Sequence, residues 1–170
     1  MVSIPQPETL YFDSDETNGF PNSPLPVLIY RHVIDISDAE KAAETFETMF
    51  KRHGWIPAWR YHLYDFDHFH STAHEALGIF RGQARAKLGG PNGGELMLYA
   101  GDVLVLPAGV VHASLEASDD FCMVGAYPPE QDPKIERGDP TKLAAAQARV
   151  ASVAIPKDTP IGGLLKALWR

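Results

Sequence analysis

The sequence contains one cysteine, Cys122, among its 170 residues. A single thiol cannot form an internal disulfide, and it excludes zinc and iron–sulfur sites that are built from several cysteines. Cys122 lies in an apolar run with Phe121, Met123 and Val124. This setting indicates a small buried core residue rather than a catalytic thiol.

The sequence also has fewer positively charged than negatively charged residues. The chain has 15 lysines and arginines against 22 aspartates and glutamates, which gives a formal net charge of -7. The basic residues are scattered and form no run along the chain. Because a protein that grips phosphates needs a basic face, the sequence predicts no nucleic-acid partner.

Long apolar runs are missing as well, and no stretch approaches the length of a membrane span. The first residues show neither a basic segment nor an apolar segment of the kind that a secretory signal has. We therefore expect a cytoplasmic protein with no membrane partner. An apolar fraction of 45% fits one globular domain with a sizeable core.

Local patterns predict a mostly β domain in three parts. Residues 1–26 carry five prolines and are expected to form an extended arm. Residues 27–130 would form the barrel, with one inserted helix over 37–53 that begins at a capping box of Ser37 and Glu40. Residues 131–170 would hold a C-terminal helix and tail. The predicted strands are 27–30, 76–80, 84–88, 95–99, 103–106, 113–115 and 121–127. Short strands joined by glycine-rich turns are typical of a sandwich or barrel.

Three of the seven histidines lie within seven residues, at His68, His70 and His74, and Glu75 follows directly. On a strand, positions two apart face the same side, so His68 and His70 can aim at one point. His112 lies far along the chain, and a barrel could place it opposite them. Imidazoles with a carboxylate suit Mn, Fe, Co, Ni, Cu or Zn. The alternative is a set of surface histidines or a hydrogen-bonded polar cluster.

Two spaced motifs bear on this choice. The first reads His68-x-His70, four residues, Glu75, six residues, Gly82, and the second reads Gly101, five residues, Pro107-x-Gly109, two residues, His112. Both resemble the two signature motifs of the cupin superfamily, over about residues 60–127. The sequences HFHSTAHEALG and GDVLVLPAGVVH look more narrowly like the YjlB-like cupins, a bacterial group of largely unassigned function.

This resemblance implies a double-stranded β-helix, a jelly-roll barrel, flanked by one helix on each side in sequence. It also implies one divalent transition metal per chain, held by His68, His70, Glu75 and His112. A second ligand set, with His74 in place of His68 and with Glu75 outside the coordination sphere, stays open. Cupins often carry Asn four residues after the last ligand, where this chain has Glu116. This difference puts in doubt any substrate role taken over from that position. Glu116 is a candidate general base near the metal because it lies two strand positions beyond Ser114 and four beyond His112.

The sequence predicts the function only in outline. A metal-dependent enzyme on a small molecule, such as an oxygenase, isomerase or lyase, is one hypothesis, and a non-catalytic protein that binds or senses a small ligand is the other. Arg60, Arg81, Arg85 and Lys87 could hold an anionic substrate if one of them points inward. Exposed strand edges, together with the N-terminal arm and the apolar C-terminal end, predict a homodimer.

Overall fold

A computed structural model describes residues 4–170 of the chain. Nine strands, two α-helices and two short 3₁₀ helices, Pro140–Lys142 and Leu165–Ala167, make up its regular structure. The strands are β1 (Glu8–Phe12), β2 (Ser23–Tyr30), β3 (Ile56–Tyr61), β4 (Glu75–Arg81), β5 (Gln83–Leu88), β6 (Gly94–Tyr99), β7 (Val103–Leu106), β8 (His112–Ala117) and β9 (Cys122–Tyr127). The helices are α1 (Ala39–Arg52) and α2 (Leu143–Ser152). Within residues 4–170, no helix has both the length and the apolar character needed to cross a membrane.

The strands form two antiparallel sheets. A six-stranded sheet has the order β1-β2-β7-β4-β9-β3, and a three-stranded sheet has the order β6-β5-β8. Neighbours that are distant in sequence, such as β4 between β7 and β9, give the sheets the crossing connections of a jelly roll. The predicted all-β, jelly-roll cupin barrel is thus confirmed.

Strand alternation divides the core into two layers. Leu77 and Ile79 of β4 point between the sheets, where they pack with residues such as Leu98 and Met123 in the barrel interior. Ala76 and Phe80 of the same strand point the other way and pack under α1. The buried face of α1 and the C-terminal residues Leu165 and Trp169 complete this outer layer.

A glycine lets α1 approach the large sheet. A Cβ atom on Gly78 of β4 would lie 2.8 Å from the ring of Phe46 and 3.0 Å from that of Phe50. Real Cβ contacts are longer than this, so a larger residue would push the helix away from the sheet. The absence of a side chain at one strand position therefore sets the distance between helix and barrel.

The N-terminal segment is more ordered than an extended arm. Glu8–Phe12 pairs with β2 and becomes an edge of the large sheet, and β2 begins at Ser23, four residues before the predicted strand. An extended arm was predicted for residues 1–26, and the strand that this segment contains, β1, was missed. The prolines of this segment lie outside β1. Pro24 and Pro26 lie at the start of β2, where few residues pair with β1 or β7, so their missing N–H groups are tolerated.

Helix α1 begins later than the capping-box pattern predicted. The N-cap is Asp38, whose carboxylate accepts hydrogen bonds from the backbone N–H groups of Glu40 and Lys41 at 3.0 and 3.2 Å. Asp is as good an N-cap as Ser, and two adjacent candidates cannot be ranked by residue type alone. The assignment of Ser37 as the cap was wrong by one residue.

Candidate metal centre

The candidate site lies where the two sheets meet at one end of the barrel. Glu75 is the first residue of β4 in the large sheet, and His112 is the first residue of β8 in the small one. His68 precedes β4 and forms an isolated antiparallel bridge with His112, through two backbone hydrogen bonds of 2.9 and 3.3 Å. The fold thus brings residues from two distant parts of the chain to one point.

Backbone carbonyl groups fix the orientation of all three imidazoles. The Nδ1 atom of His68 lies 2.9 Å from the carbonyl oxygen of Phe66, and that of His112 lies 2.9 Å from the carbonyl oxygen of Val110. The Nδ1 atom of His70 lies 2.8 Å from the carbonyl oxygen of Lys134. A carbonyl oxygen only accepts, so each Nδ1 must donate its hydrogen, and a neutral ring then carries its lone pair on Nε2.

The free ring nitrogens converge beside the Glu75 carboxylate. One ring nitrogen from each of His68, His70 and His112 lies within 4.8 Å of the other two. The Nε2 atom of His70 is 3.4 Å from Oε2 of Glu75, and that of His112 is 3.2 Å from Oε1. All four residues are buried. Ring nitrogens that face a carboxylate need a cation between them, either a proton or a metal ion.

Electrostatic interactions favour a charged Glu75 in this pocket. Burial acts against the charged carboxylate, but His70 and His112 outweigh it and hold the pKa of Glu75 well below its usual range. Burial also opposes a charge on His70, yet the facing Glu75 carboxylate raises the pKa of that imidazole. Burial and the neighbouring His112 lower the pKa of His68 to about 3, so His68 is a neutral ring with an available lone pair.

Two further residues form a chain of hydrogen bonds behind Glu75. The Tyr127 hydroxyl donates to Oε2 of Glu75 at 2.6 Å, and the indole N–H of Trp59 donates to the same hydroxyl at 2.9 Å. Because an indole N–H can only donate, the direction runs from Trp59 through Tyr127 to Glu75. Sequence reasoning did not single out either residue for the site. Their place beside Glu75 depends on the pairing of β9 with β3 and β4, which residue types do not reveal.

His74 lies on the other side of the sheet. Its Nδ1 atom accepts a hydrogen bond of 2.8 Å from the backbone N–H of Ala108, and its ring centre is 4.8 Å from that of Trp169. Burial lowers its pKa to about 4. The structure therefore keeps His74 apart from the cluster formed by the other three histidines, in the outer layer with the C-terminal tail.

Glu116 does not reach the site either. Its side chain is 77% exposed and lies 3.6 Å from Arg85 on the small sheet. The exposed half of β8 turns this residue to solvent, which removes the geometric basis for a general base at that position. Of the expected site residues, the fold brings together His68, His70, Glu75 and His112, and it leaves out His74 and Glu116.

These residues fit a transition-metal ion. Three imidazoles with their Nδ1 hydrogens held by carbonyl groups, and one carboxylate held by a tyrosine, form the outer support that metal ligands usually have. Bonds of about 2.1 Å place the ligand atoms of a tetrahedral site about 3.4 Å apart, so the three ring nitrogens, which lie within 4.8 Å of one another, would draw closer around an ion. Such an ion would act as a Lewis acid and keep coordination positions for a small molecule.

The jelly-roll barrel with this cluster at its mouth defines a cupin, and comparison with known proteins specifies it further. The chain is 32% identical over 157 residues to the uncharacterized protein YjlB of Bacillus subtilis (strain 168), an alignment that covers 92% of this chain and 90% of that protein. The chain belongs to the YjlB-like cupins.

Two other comparisons add little. No family model matches the chain. A crystal structure of a DUF861 family protein from Thermotoga maritima is 21% identical and covers 58% of this chain and 96% of its own, with a TM-score of 0.35. The fold is therefore defined by the strand topology of the chain itself.

Proposed function

We propose that this protein binds one divalent transition metal through His68, His70, Glu75 and His112, and that it binds or transforms a small molecule at that ion. One observation carries the proposal. Three backbone carbonyl groups hold the hydrogens of the three imidazoles on Nδ1, which leaves every Nε2 lone pair for the interior. A purely structural histidine cluster would not need the same tautomer three times.

The surroundings of the cluster support a small-molecule role. A cavity of about 450 Å³ lies against His68, His70, Glu75 and His112, and this volume is in the range of ligand-binding pockets. The ion would supply Lewis acidity, while the chain's own part is to orient the imidazoles, keep Glu75 ionised and exclude bulk water. An oxygenase, isomerase or lyase would use these properties, and so would a ligand sensor.

Metal analysis of the purified protein tests the proposal. Protein prepared without chelator, or reconstituted with Zn²⁺ or Mn²⁺, is expected to hold about one equivalent per chain. Substitution of His68, His70 or His112 by Ala should each remove most of this metal, because each takes away one nitrogen ligand. His74→Asn and the surface variant His32→Ala should retain it.

The outcomes separate the two ligand sets. Loss of metal in His74→Asn with retention in His68→Ala would support the ligand set that contains His74. A wild-type protein that stays free of metal after reconstitution would overturn the proposal, and the cluster would then be a hydrogen-bonded polar core.

A further inference from the structure

The cavity above the candidate metal centre has a largely uncharged wall. Its floor holds the four proposed ligands, and its sides include the apolar residues Leu63, Leu77, Met123, Pro133 and Ile135. Among the residues that the structure describes, Arg60 is the single lysine or arginine that borders this cavity. The chemistry of the wall therefore limits which molecules can occupy the space.

Strand alternation turns Arg60 away from the cavity. Its guanidinium group forms hydrogen bonds of 2.7 Å to Glu40 and of 2.6 and 3.0 Å to Glu47, both on helix α1. These two carboxylates raise the pKa of Arg60 further. The guanidinium is thus engaged outside the barrel. Among the described residues that border the cavity, no side-chain cation is left to balance a negative charge beyond that of the groups that bind the proposed ion.

Other cations considered for an anionic substrate are also engaged elsewhere. Lys87 pairs with Asp67 at 3.0 Å, Arg85 pairs with Glu95 at 3.0 Å, and Arg81 donates to the backbone oxygen of Asp120 at 3.0 Å. None of the three borders the cavity. The expectation that one of these residues might serve an anionic ligand finds no support in their positions.

Aromatic rings line the mouth of the cavity. Tyr61, His62 and Tyr64 border it, with ring centres 3.9 Å apart for Tyr61 and His62 and 6.0 Å apart for Tyr61 and Tyr64. The ring of Tyr64 stacks in turn on Phe66 at 5.1 Å. Tyr61 is 48% exposed, so a large aromatic face is presented to solvent beside the opening. Exposed aromatic faces of this kind favour contact with flat ring systems.

Polar groups for a sugar-like ligand are few in the inner part of the cavity, where Leu63, Leu77 and Met123 lie. The indole N–H of Trp59 and the hydroxyl of Tyr127 are already used in the chain of hydrogen bonds to Glu75. A polyhydroxylated molecule would bury many hydroxyl groups against apolar side chains without partners, at a cost for each group. A ring with few polar atoms avoids this cost.

We infer that the ligand of this site is a planar aromatic compound that carries one or two oxygen donors for the ion and no further charged group. The ring packs against the aromatic mouth, and the oxygen atoms face the floor of the cavity, where the metal keeps coordination positions. This inference rests on the proposed metal function, and it adds the substrate class that the wall selects.

Two synthetic probes isolate the contribution of the ring. Benzohydroxamate and cyclohexanecarbohydroxamate share one chelating group and differ in whether the ring is aromatic. On the Zn²⁺-reconstituted protein, titration calorimetry should show that benzohydroxamate binds about five-fold more tightly, as expected for one good aromatic contact. Equal affinities, or a preference for the saturated ring, would overturn the inference.

Variants of the wall give a second measurement. Tyr64→Leu should reduce the affinity for benzohydroxamate about five-fold and leave the affinity for the saturated probe nearly unchanged. Tyr99→Leu is the control, because it makes the same substitution at a tyrosine on β6 that does not border the cavity. If Tyr64→Leu weakens both probes equally, the ring face is not what the site recognises.

The stoichiometry of bound metal separates the two proposals. Binding of Zn²⁺ without a preference between the probes would overturn the substrate class alone. Failure to bind Zn²⁺ would overturn the metal function, and with it the inference that depends on it.

Discussion

The hydroxyl group of Tyr127 donates a hydrogen bond of 2.6 Å to the Glu75 carboxylate, across the pairing of β9 with β4. Tyr127 is buried, and Trp59 holds its hydroxyl from the other side. The bond occupies Oε2 of Glu75 and leaves Oε1, which faces His112, as the oxygen that can bind an ion. Tyr127 is therefore a positioning residue for the proposed metal ligand.

Removing this hydroxyl should weaken metal binding without abolishing it. Loss of an outer hydrogen bond to a metal ligand typically costs 10- to 100-fold in affinity. We expect Tyr127→Phe to raise the dissociation constant for Zn²⁺ by about ten-fold, measured by competition with a chromogenic chelator. The absorption spectrum of the Co²⁺ form should shift as well, since the Glu75 ligand loses its partner.

A purely structural role would give a different result. In that case Tyr127→Phe would lower the melting temperature but leave the Zn²⁺ constant and the Co²⁺ spectrum as they are. Tyr30→Phe is a suitable control, because Tyr30 is also a buried tyrosine but packs in the outer layer.

Metal binding should weaken in acid. His70 has a raised pKa because of the Glu75 carboxylate, so its proton competes with the ion at a higher pH than an ordinary imidazole would, for which the midpoint is about 6.5. Affinity for Zn²⁺ should therefore already decline as the pH falls from 8 towards 6. Dissociation constants measured across this interval would test the expectation, and a flat profile would contradict it.

His74 makes the stability of the fold depend on pH. Its pKa is lowered to about 4 by burial, whereas it should be near 6.5 in the unfolded chain. The unfolded chain therefore binds the proton first, so this contribution to stability is complete above about pH 6.5 and is lost as the pH falls towards 4. The full change is on the order of 3 kcal/mol.

Urea denaturation of metal-free protein at pH 7 and pH 4.5 would measure this contribution. His74→Asn keeps an acceptor for the N–H of Ala108 but does not titrate, so its stability should fall less between the two pH values than that of the wild type. His32→Asn, which changes an exposed histidine paired with Asp35, should follow the wild type. Parallel losses in all three proteins would rule out His74 as the source.

Close packing between α1 and the large sheet gives a further prediction. Gly78→Ala would place a methyl group 2.8 Å from the ring of Phe46, and we expect a loss of about 1–3 kcal/mol in the free energy of unfolding. Gly94→Ala is the matched strand control, since a Cβ there would meet no atom within 4 Å. Similar stabilities for the two variants would show that the helix can shift at little cost.

The homodimer stays a prediction. Strands β1 and β3 are the two edges of the large sheet, and Tyr11 on β1 is 67% exposed. If a second copy pairs along β1, light scattering at micromolar concentration should give twice the chain mass of 18.7 kDa, and Tyr11→Lys should reduce it. A monomeric mass for the wild type would contradict the prediction.

The sequence carried enough information for the barrel and for the floor of the site. Short strands between glycine turns predicted most of β4 to β9. In the structure, the motif glycines Gly101 and Gly109 have positive φ values of 102° and 94°. Spacing placed His68, His70, Glu75 and His112 in the expected motifs, and the fold brings them together.

Long-range pairing marks the limit of what the sequence could predict. The strand β1 was missed because its partner is β2 rather than a turn-linked neighbour with a recognisable hairpin signal. Tyr127 and Trp59 were missed because only the register of β9 aligns them with Glu75. Glu116 was predicted to lie at the site because it follows His112 by four residues. That distance along the chain gave no information on where β8 leaves the barrel interior.

The carbonyl group of Lys134, which orients His70, comes from a segment beyond the last barrel strand. Glu136 in the same segment accepts a hydrogen bond of 2.7 Å from the backbone N–H of Ser71 and forms a bridge with Phe69. The barrel is consequently not a self-sufficient module. A designer who transplanted its strands alone would carry over every proposed ligand, yet would leave behind the support that aims one of them.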